Sequence, residues 1–219
     1  MTAIPGTEGY ERSIQRFIES SQALDFAEVC QDFLDHLPLL AGRVLDAGAG
    51  AGQNAAAIAK MGHSVVAIEP MPDFLAAARA TYADLPITWL DDSLPRLQRL
   101  GSASAQFDFI LVDGVWHHLD ESERSLAIAH FALLLKPGGK CALSLRHGPA
   151  GLGTCVYPTD TNRTLEEART CGLECVLLRE NQPSIFPHKK DVTWSRLVLL
   201  KPTSTPDADR DGGTSNQLE

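Results

Sequence analysis

Val44-Leu45-Asp46-Ala47-Gly48-Ala49-Gly50-Ala51-Gly52 is the stretch on which the reading of this chain turns. Its apolar start predicts a short buried strand over 43–46 that ends in a carboxylate. Alternating glycines follow, then an alanine-rich run that predicts a helix over 54–61, with Gly62 as its stop. Strand, acid, glycine loop and helix in that order form a device for holding a nucleoside. Glycine lets a ligand lie almost on the backbone, and the helix start offers unpaired N–H groups. Asp46 carries the discrimination. A carboxylate just ahead of the first glycine is a poor neighbour for a pyrophosphate and a good one for a cationic ligand or for hydroxyl donors.

Outward from the loop, the pattern repeats. Strands are predicted over 64–69, 87–90, 107–113, 141–146, 173–178 and 193–200, and helices over 72–82, 94–100, 121–135 and 165–170. Lys136-Pro137-Gly138-Gly139-Lys140 reads as a turn by composition. Upstream, apolar residues at helical spacing predict one or two amphipathic helices over 10–37, ending before Pro38. Residues 202–219 hold too few apolar groups to offset the entropy of ordering, which predicts a disordered tail. The expected organisation is a helical lid (1–39), an α/β core (40–201) and the tail (202–219). Strands alternating with helices predict a mostly parallel, doubly wound sheet. Ligands bind such sheets at the carboxyl ends of the strands, where the strand order reverses.

That rim is acidic. Glu69 follows Gly48 by roughly the 20 residues typical of nucleoside-binding folds, where a carboxylate takes the ribose hydroxyls. Asp91-Asp92-Ser93 follows the third strand. Asp92 can accept from an adenine amine while the Ser93 amide donates to a ring nitrogen, or the pair can simply cap a helix. Asp113-Gly114-Val115-Trp116-His117-His118 leaves the fourth strand with an acid, an indole and two imidazoles. Histidine is the usual proton carrier near neutral pH, so His117 and then His118 are candidate general bases. Adjacent residues point apart, so at least one of them is expected to be structural. Arg146-His147 closes the fifth strand, where Arg146 can meet a substrate carboxylate or one of the rim acids.

The bulk properties narrow the class. A chain of 219 residues suits one α/β domain. Its net charge of −9 argues against a nucleic-acid surface and for a small-molecule substrate. No apolar run reaches the roughly 20 residues of a membrane span, and the N-terminus lacks signal-peptide features. Five scattered cysteines read as reduced thiols of a cytoplasmic protein, with no metal site expected.

Together these residues resemble the class I S-adenosylmethionine-dependent methyltransferases of the small-molecule type. The glycine loop from Asp46 to Gly52, Glu69, Asp92-Ser93, the 107–119 segment and Leu133-Leu134-Leu135-Lys136-Pro137-Gly138-Gly139 match that family's motifs in order, over roughly residues 40–200. The resemblance implies a Rossmann-like seven-stranded sheet in the order 3-2-1-4-5-7-6, with strand 7 antiparallel. It implies S-adenosyl-L-methionine as cofactor and in-line displacement of its methyl group by a small-molecule acceptor. Asp46, Ala47, Gly48, Gly50 and Gly52 would surround the methionine portion, and Glu69 would take the ribose. Pro70 and Met71 would border the adenine, Asp92 and Ser93 would hold its edge, and Asp113 and Gly114 would line the methyl path. Tyr10, Trp116, Arg146 and His147 are the candidates for acceptor contact. A nicotinamide-dependent oxidoreductase is the first alternative, disfavoured because the third glycine comes one residue early for Gly-x-Gly-x-x-Gly and Asp46 precedes the loop. A non-catalytic binder on the same fold is the second, disfavoured by the intact set of rim acids.

Overall fold

Strand period dictates the core. In β1 (Arg43–Ala47), Val44 packs to one side of the sheet and Leu45 to the other. In β4 (Phe107–Val112), Phe109 and Leu111 join Val44, while Ile110 and Val112 join Leu45. Residues that alternate between two apolar layers belong to a sheet covered on both faces. The computed structural model, which describes residue 4 and residues 6–101, 106–186 and 189–203, has that architecture. The further strands are β2 (Ser64–Ile68), β3 (Ile87–Leu90), β5 (Leu135–His147), β6 (Glu174–Pro183) and β7 (Thr193–Leu200). Their order is β3-β2-β1-β4-β5-β7-β6. β7 pairs antiparallel with both β5 and β6, and every other pair is parallel. The expected Rossmann-like sheet is therefore the observed one.

The helices are α1 (Ile14–Gln22), α2 (Phe26–Val29), α3 (Gln53–Lys60), α4 (Pro72–Thr81), α5 (Glu121–Leu134) and α6 (Thr161–Thr170). Their starts follow local chemistry. Pro72 opens α4, where a missing N–H has no cost. Asp120 and Glu123 form a reciprocal capping box on α5. Asp160 caps α6 through the Arg163 amide.

Several expected bounds move. No helix forms over 94–100. Pro95 disfavours helical backbone at Leu94, and the amides of Arg99 and Leu100 donate to the Asp92 carboxylate at 2.8 and 3.0 Å instead of to helix carbonyls. The segment read as a turn at 136–140 is the bulged start of β5. There Leu135 pairs with Phe107, and the Gly138 amide donates to the Lys201 carbonyl at 2.7 Å. β6 extends well beyond 178 because main-chain pairing with β7, not apolar content, carries this exposed edge strand. The lid is broken into short pieces, with 3-10 turns at Tyr10–Arg12 and Gln31–His36 flanking α1 and α2. The expected tail lies outside the described residues beyond Thr203. No helix among the described residues is long and apolar enough to cross a membrane.

Candidate active site

The strand order reverses between β1 and β4, and the cavity opens above that point. It measures about 580 Å³ and is lined by the glycine loop, the ends of β2 and β4, the lid and the loops after β5 and β6. The glycine loop is held down by main chain: the Gly48 and Ala49 amides both donate to the Ile68 carbonyl at 2.9 Å. Gly48 has φ of +83° and Gly50 +54°, a region that side chains rarely adopt. A Cβ on Gly48 would run into the Val115 side chain. Glycine is thus required there by packing against the chain itself, as well as by access for a ligand.

Glu69 is the organising side chain. One carboxylate oxygen accepts from the Gly50 amide at 2.9 Å, the other from the Met71 amide at 2.8 Å. The carboxylate joins the two loops and still lines the cavity. Burial, against the pull of those amides, pushes it up to about 7. Asp46 is also pushed up to about 7, by burial and then by Asp113. Its Oδ2 is buried without a hydrogen-bond partner. Asp113 is raised by burial, against the Ser144 hydroxyl, the Arg196 charge and the Asn54 side chain. Three crowded acids raised in this way are what a cation stabilises.

The N-terminal segment and α4 cover this end with rings. Phe17 and Phe74 stack at 4.5 Å, Phe17 lies over Gly50, and Tyr10 meets both edge-on. The Tyr10 hydroxyl is 3.0 Å from His118 Nε2. His118 Nδ1 faces the Cys155 carbonyl at 2.8 Å. A carbonyl only accepts, so Nδ1 carries the proton and neutral Nε2 accepts from Tyr10. His117 also lines the cavity. Burial, then the charges of His118, Arg146, Arg124 and Lys189, push it down to about 2.

A family profile described as a methyltransferase domain matches residues 44–139. Residues 44–139 are thus similar to a methyltransferase domain. An uncharacterized methyltransferase of Mycobacterium tuberculosis is 36% identical over 107 residues, covering 49% of this chain and 41% of that protein. The chain thus spans less than half the length of such curated relatives. Among solved structures, a TehB-like SAM-dependent methyltransferase of Corynebacterium glutamicum superposes with a TM-score of 0.64 at 22% identity, covering 87% of this chain and 97% of that one. A 1,6-didemethyltoxoflavin-N1-methyltransferase of Burkholderia thailandensis, solved with 1,6-didemethyltoxoflavin and S-adenosylhomocysteine, does so at 0.60 and 19%, covering 92% of each.

The fold brings Tyr10, Gly48, Gly50, Glu69, Pro70, Met71, Asp92, Ser93, Asp113, Gly114, His117, His118 and Arg146 together on one cavity. Other expected site residues are corrected. Asp46 and Ala47 do not line the cavity; Asp46 acts on it through charge from behind the wall. Gly52 packs under Trp89 and Ala78, where a Cβ would come within 2.6 and 2.9 Å. Trp116 is fully buried in the core, its indole N–H directed at Thr164. His147 turns to Ser195 and Thr159. The Ser93 amide already donates to Asp92 Oδ1 at 2.9 Å, and Asp92 holds the 92–100 loop as well as the cavity wall. The sequence reading missed Phe17, Phe74, Gln53, Asn54, Lys189 and Trp194, all of which line the cavity. The phenylalanines were visible only as apolar positions of amphipathic helices. Lys189 and Trp194 carry no local motif.

Proposed function

We propose that this protein is an S-adenosylmethionine-dependent methyltransferase acting on a small-molecule acceptor. The observation that carries the proposal is Glu69, whose carboxylate is braced by the Gly50 and Met71 amides and open to the cavity, with Asp46 and Asp113 behind it. A braced carboxylate accepts a pair of ribose hydroxyls, and the surrounding negative charge matches a sulfonium and an ammonium. A pyrophosphate would be repelled there, which disfavours the oxidoreductase reading. The net charge of −9 disfavours a nucleic-acid acceptor.

S-adenosylmethionine, when bound, supplies an already activated methyl group. The chain's own residues have simpler tasks. Glu69 orients the sugar, while Asp46 and Asp113 hold positive charge near the ends of β1 and β4. Phe17, Phe74 and Tyr10 exclude water from above the glycine loop. His118 is occupied by Tyr10 and Cys155 and serves to position the lid. His117 stays neutral at every working pH and is a weak proton acceptor, so it shapes and hydrogen-bonds the acceptor instead of ionising it. Alignment and water exclusion are large effects in such reactions, worth up to about 7–11 kcal/mol.

Calorimetry with S-adenosylhomocysteine and with NAD tests the reading. S-adenosylhomocysteine should bind, and Glu69→Gln should weaken it about tenfold or more, as expected for lost hydrogen bonds to a charged group. Binding of NAD alone would show the methyltransferase reading to be wrong.

A further inference from the structure

The far end of the same cavity carries charge of the opposite sign. Arg146 stands opposite Trp194 in the pairing of β5 with β7, so both side chains share one face of the sheet. Both line the cavity, as does Lys189, whose Nζ sits 4.5 Å from the centre of the Phe186 ring. Among the described residues neither cation forms an ion pair with a carboxylate. Arg146 reaches only the Gly148 carbonyl, at 3.3 Å. In a chain with 28 acidic and 19 basic residues, two half-buried cations without a counter-charge make a specific arrangement.

The surroundings are flat and apolar. The Trp194 ring meets the His117 ring edge-on at 6.1 Å, and Phe186, Ile185 and Leu152 complete the walls. Tyr10 marks the border between the two ends, since its hydroxyl feels Glu69 from one side and Arg146 from the other. Glu69, Asp92 and Asp113 belong to the glycine-loop end, and Arg196 is turned toward Asp32 and the Val29 carbonyl. The full charges that bear on His117 are those of Arg146, Arg124 and Lys189, all positive.

We propose that the acceptor is an aromatic acid, a planar ring bearing an oxyanion, held through that oxyanion by Arg146 and Lys189 and flanked by Trp194 and Phe186. The inference rests on the methyltransferase reading and gives its acceptor a chemical class. A guanidinium suits a carboxylate in two-pronged fashion, and an ammonium beside it suits any concentrated negative oxygen. Burial is the largest cause that keeps His117 neutral, with the charges of Arg146 and Lys189 adding to it. Those two cations, set directly against the oxyanion, favour the ionised form of a weakly acidic ligand, so the acceptor is held charged without a protein base.

The test uses benzoate, 4-nitrophenol and the neutral isostere benzamide, added to the protein saturated with S-adenosylhomocysteine. Calorimetry should show benzoate or 4-nitrophenol binding about tenfold or more tighter than benzamide. The preferred one distinguishes a carboxylate from a phenolate. Bound 4-nitrophenol should show its phenolate absorbance at lower pH than the free compound. Arg146→Met and Lys189→Met should each erase the preference, with the thermal midpoint and S-adenosylhomocysteine affinity unmoved. Equal binding of anionic and neutral probes overturns the inference. So does an anion preference that survives in the double variant. Failure of S-adenosylhomocysteine to bind overturns the parent reading and the acceptor assignment with it, whereas its binding without any anion preference overturns the acceptor class alone.

Discussion

At the scale of single residues, the glycine loop shows two different reasons for glycine within one motif. Gly48 is boxed in by Val115 and sits at φ +83°. Gly52 lies under the Trp89 ring and the Ala78 methyl. Both are demanded by the protein's own packing. Gly50 meets only the Phe17 ring, at 3.4 Å, and is the glycine whose N–H serves Glu69. Gly48→Ala should therefore cost about 1–3 kcal/mol of stability, read as a lower denaturation midpoint. Val115→Ala in the same chain should recover part of that loss, because it removes the collision but leaves the backbone strain. Full recovery, or none, would contradict this account.

At the scale of elements, the lid is attached differently from the core. α1 buries little of itself; its ties are Phe17 on Phe74 and the Gln22 side chain to the Ala51 carbonyl at 3.2 Å and the Thr81 hydroxyl at 3.1 Å. α5, by contrast, contributes Ala127, Ile128, Phe131 and Leu134 to the core. Elements with few buried contacts open first. Arg12 and Arg16 are both exposed, Arg16 at the edge of the cavity, so trypsin should cut there before it cuts elsewhere. S-adenosylhomocysteine should slow that cut severalfold by filling the space beneath Phe17, as followed by mass spectrometry of the fragments. The amphipathic pattern over 10–37 announced this layer. It could not announce where the layer breaks, since those breaks follow from caps and from contact with Phe74 and His118 on remote elements.

At the scale of the whole molecule, the cavity is divided by charge, and the division makes pH a probe. Asp46 and Glu69 sit near 7 in the folded chain, above the ordinary 3.8 and 4.5. Between those values the folded state holds protons that the unfolded state has lost, so stability falls as pH rises through that window and levels off above it. Asp46→Asn removes one such group. Its stability relative to the parent should be near parity at about pH 4 and should improve steadily toward about pH 7, as measured by urea denaturation. An offset that does not change with pH would rule this out. Ionised acids are also what a sulfonium meets. S-adenosylmethionine affinity should accordingly strengthen as pH rises from about 6 to about 8 and then plateau, with proton release detected by calorimetry in buffers of different ionisation enthalpy.

The sequence by itself determined the alternating strands and the acidic rim, because those rest on local patterns: runs of apolar residues, glycine spacing, and an acid at the end of each of the first four strands. The strand order came with the family resemblance those patterns carry. Asp46, Glu69 and Asp113 were legible because each closes a buried strand, and the strand order places strand ends together. Only the tertiary structure decided the rest. It withdrew Trp116 into the core and turned His147 to Ser195, since neighbouring positions on a turn face opposite ways and packing alone chooses between them. It set Arg146 beside Trp194 and Lys189, residues more than forty positions apart, through antiparallel pairing of β5 with β7 and the loop before β7. The cofactor end of the cavity is written in consecutive residues. The acceptor end is assembled across strands, and for that reason it becomes readable only in the folded chain.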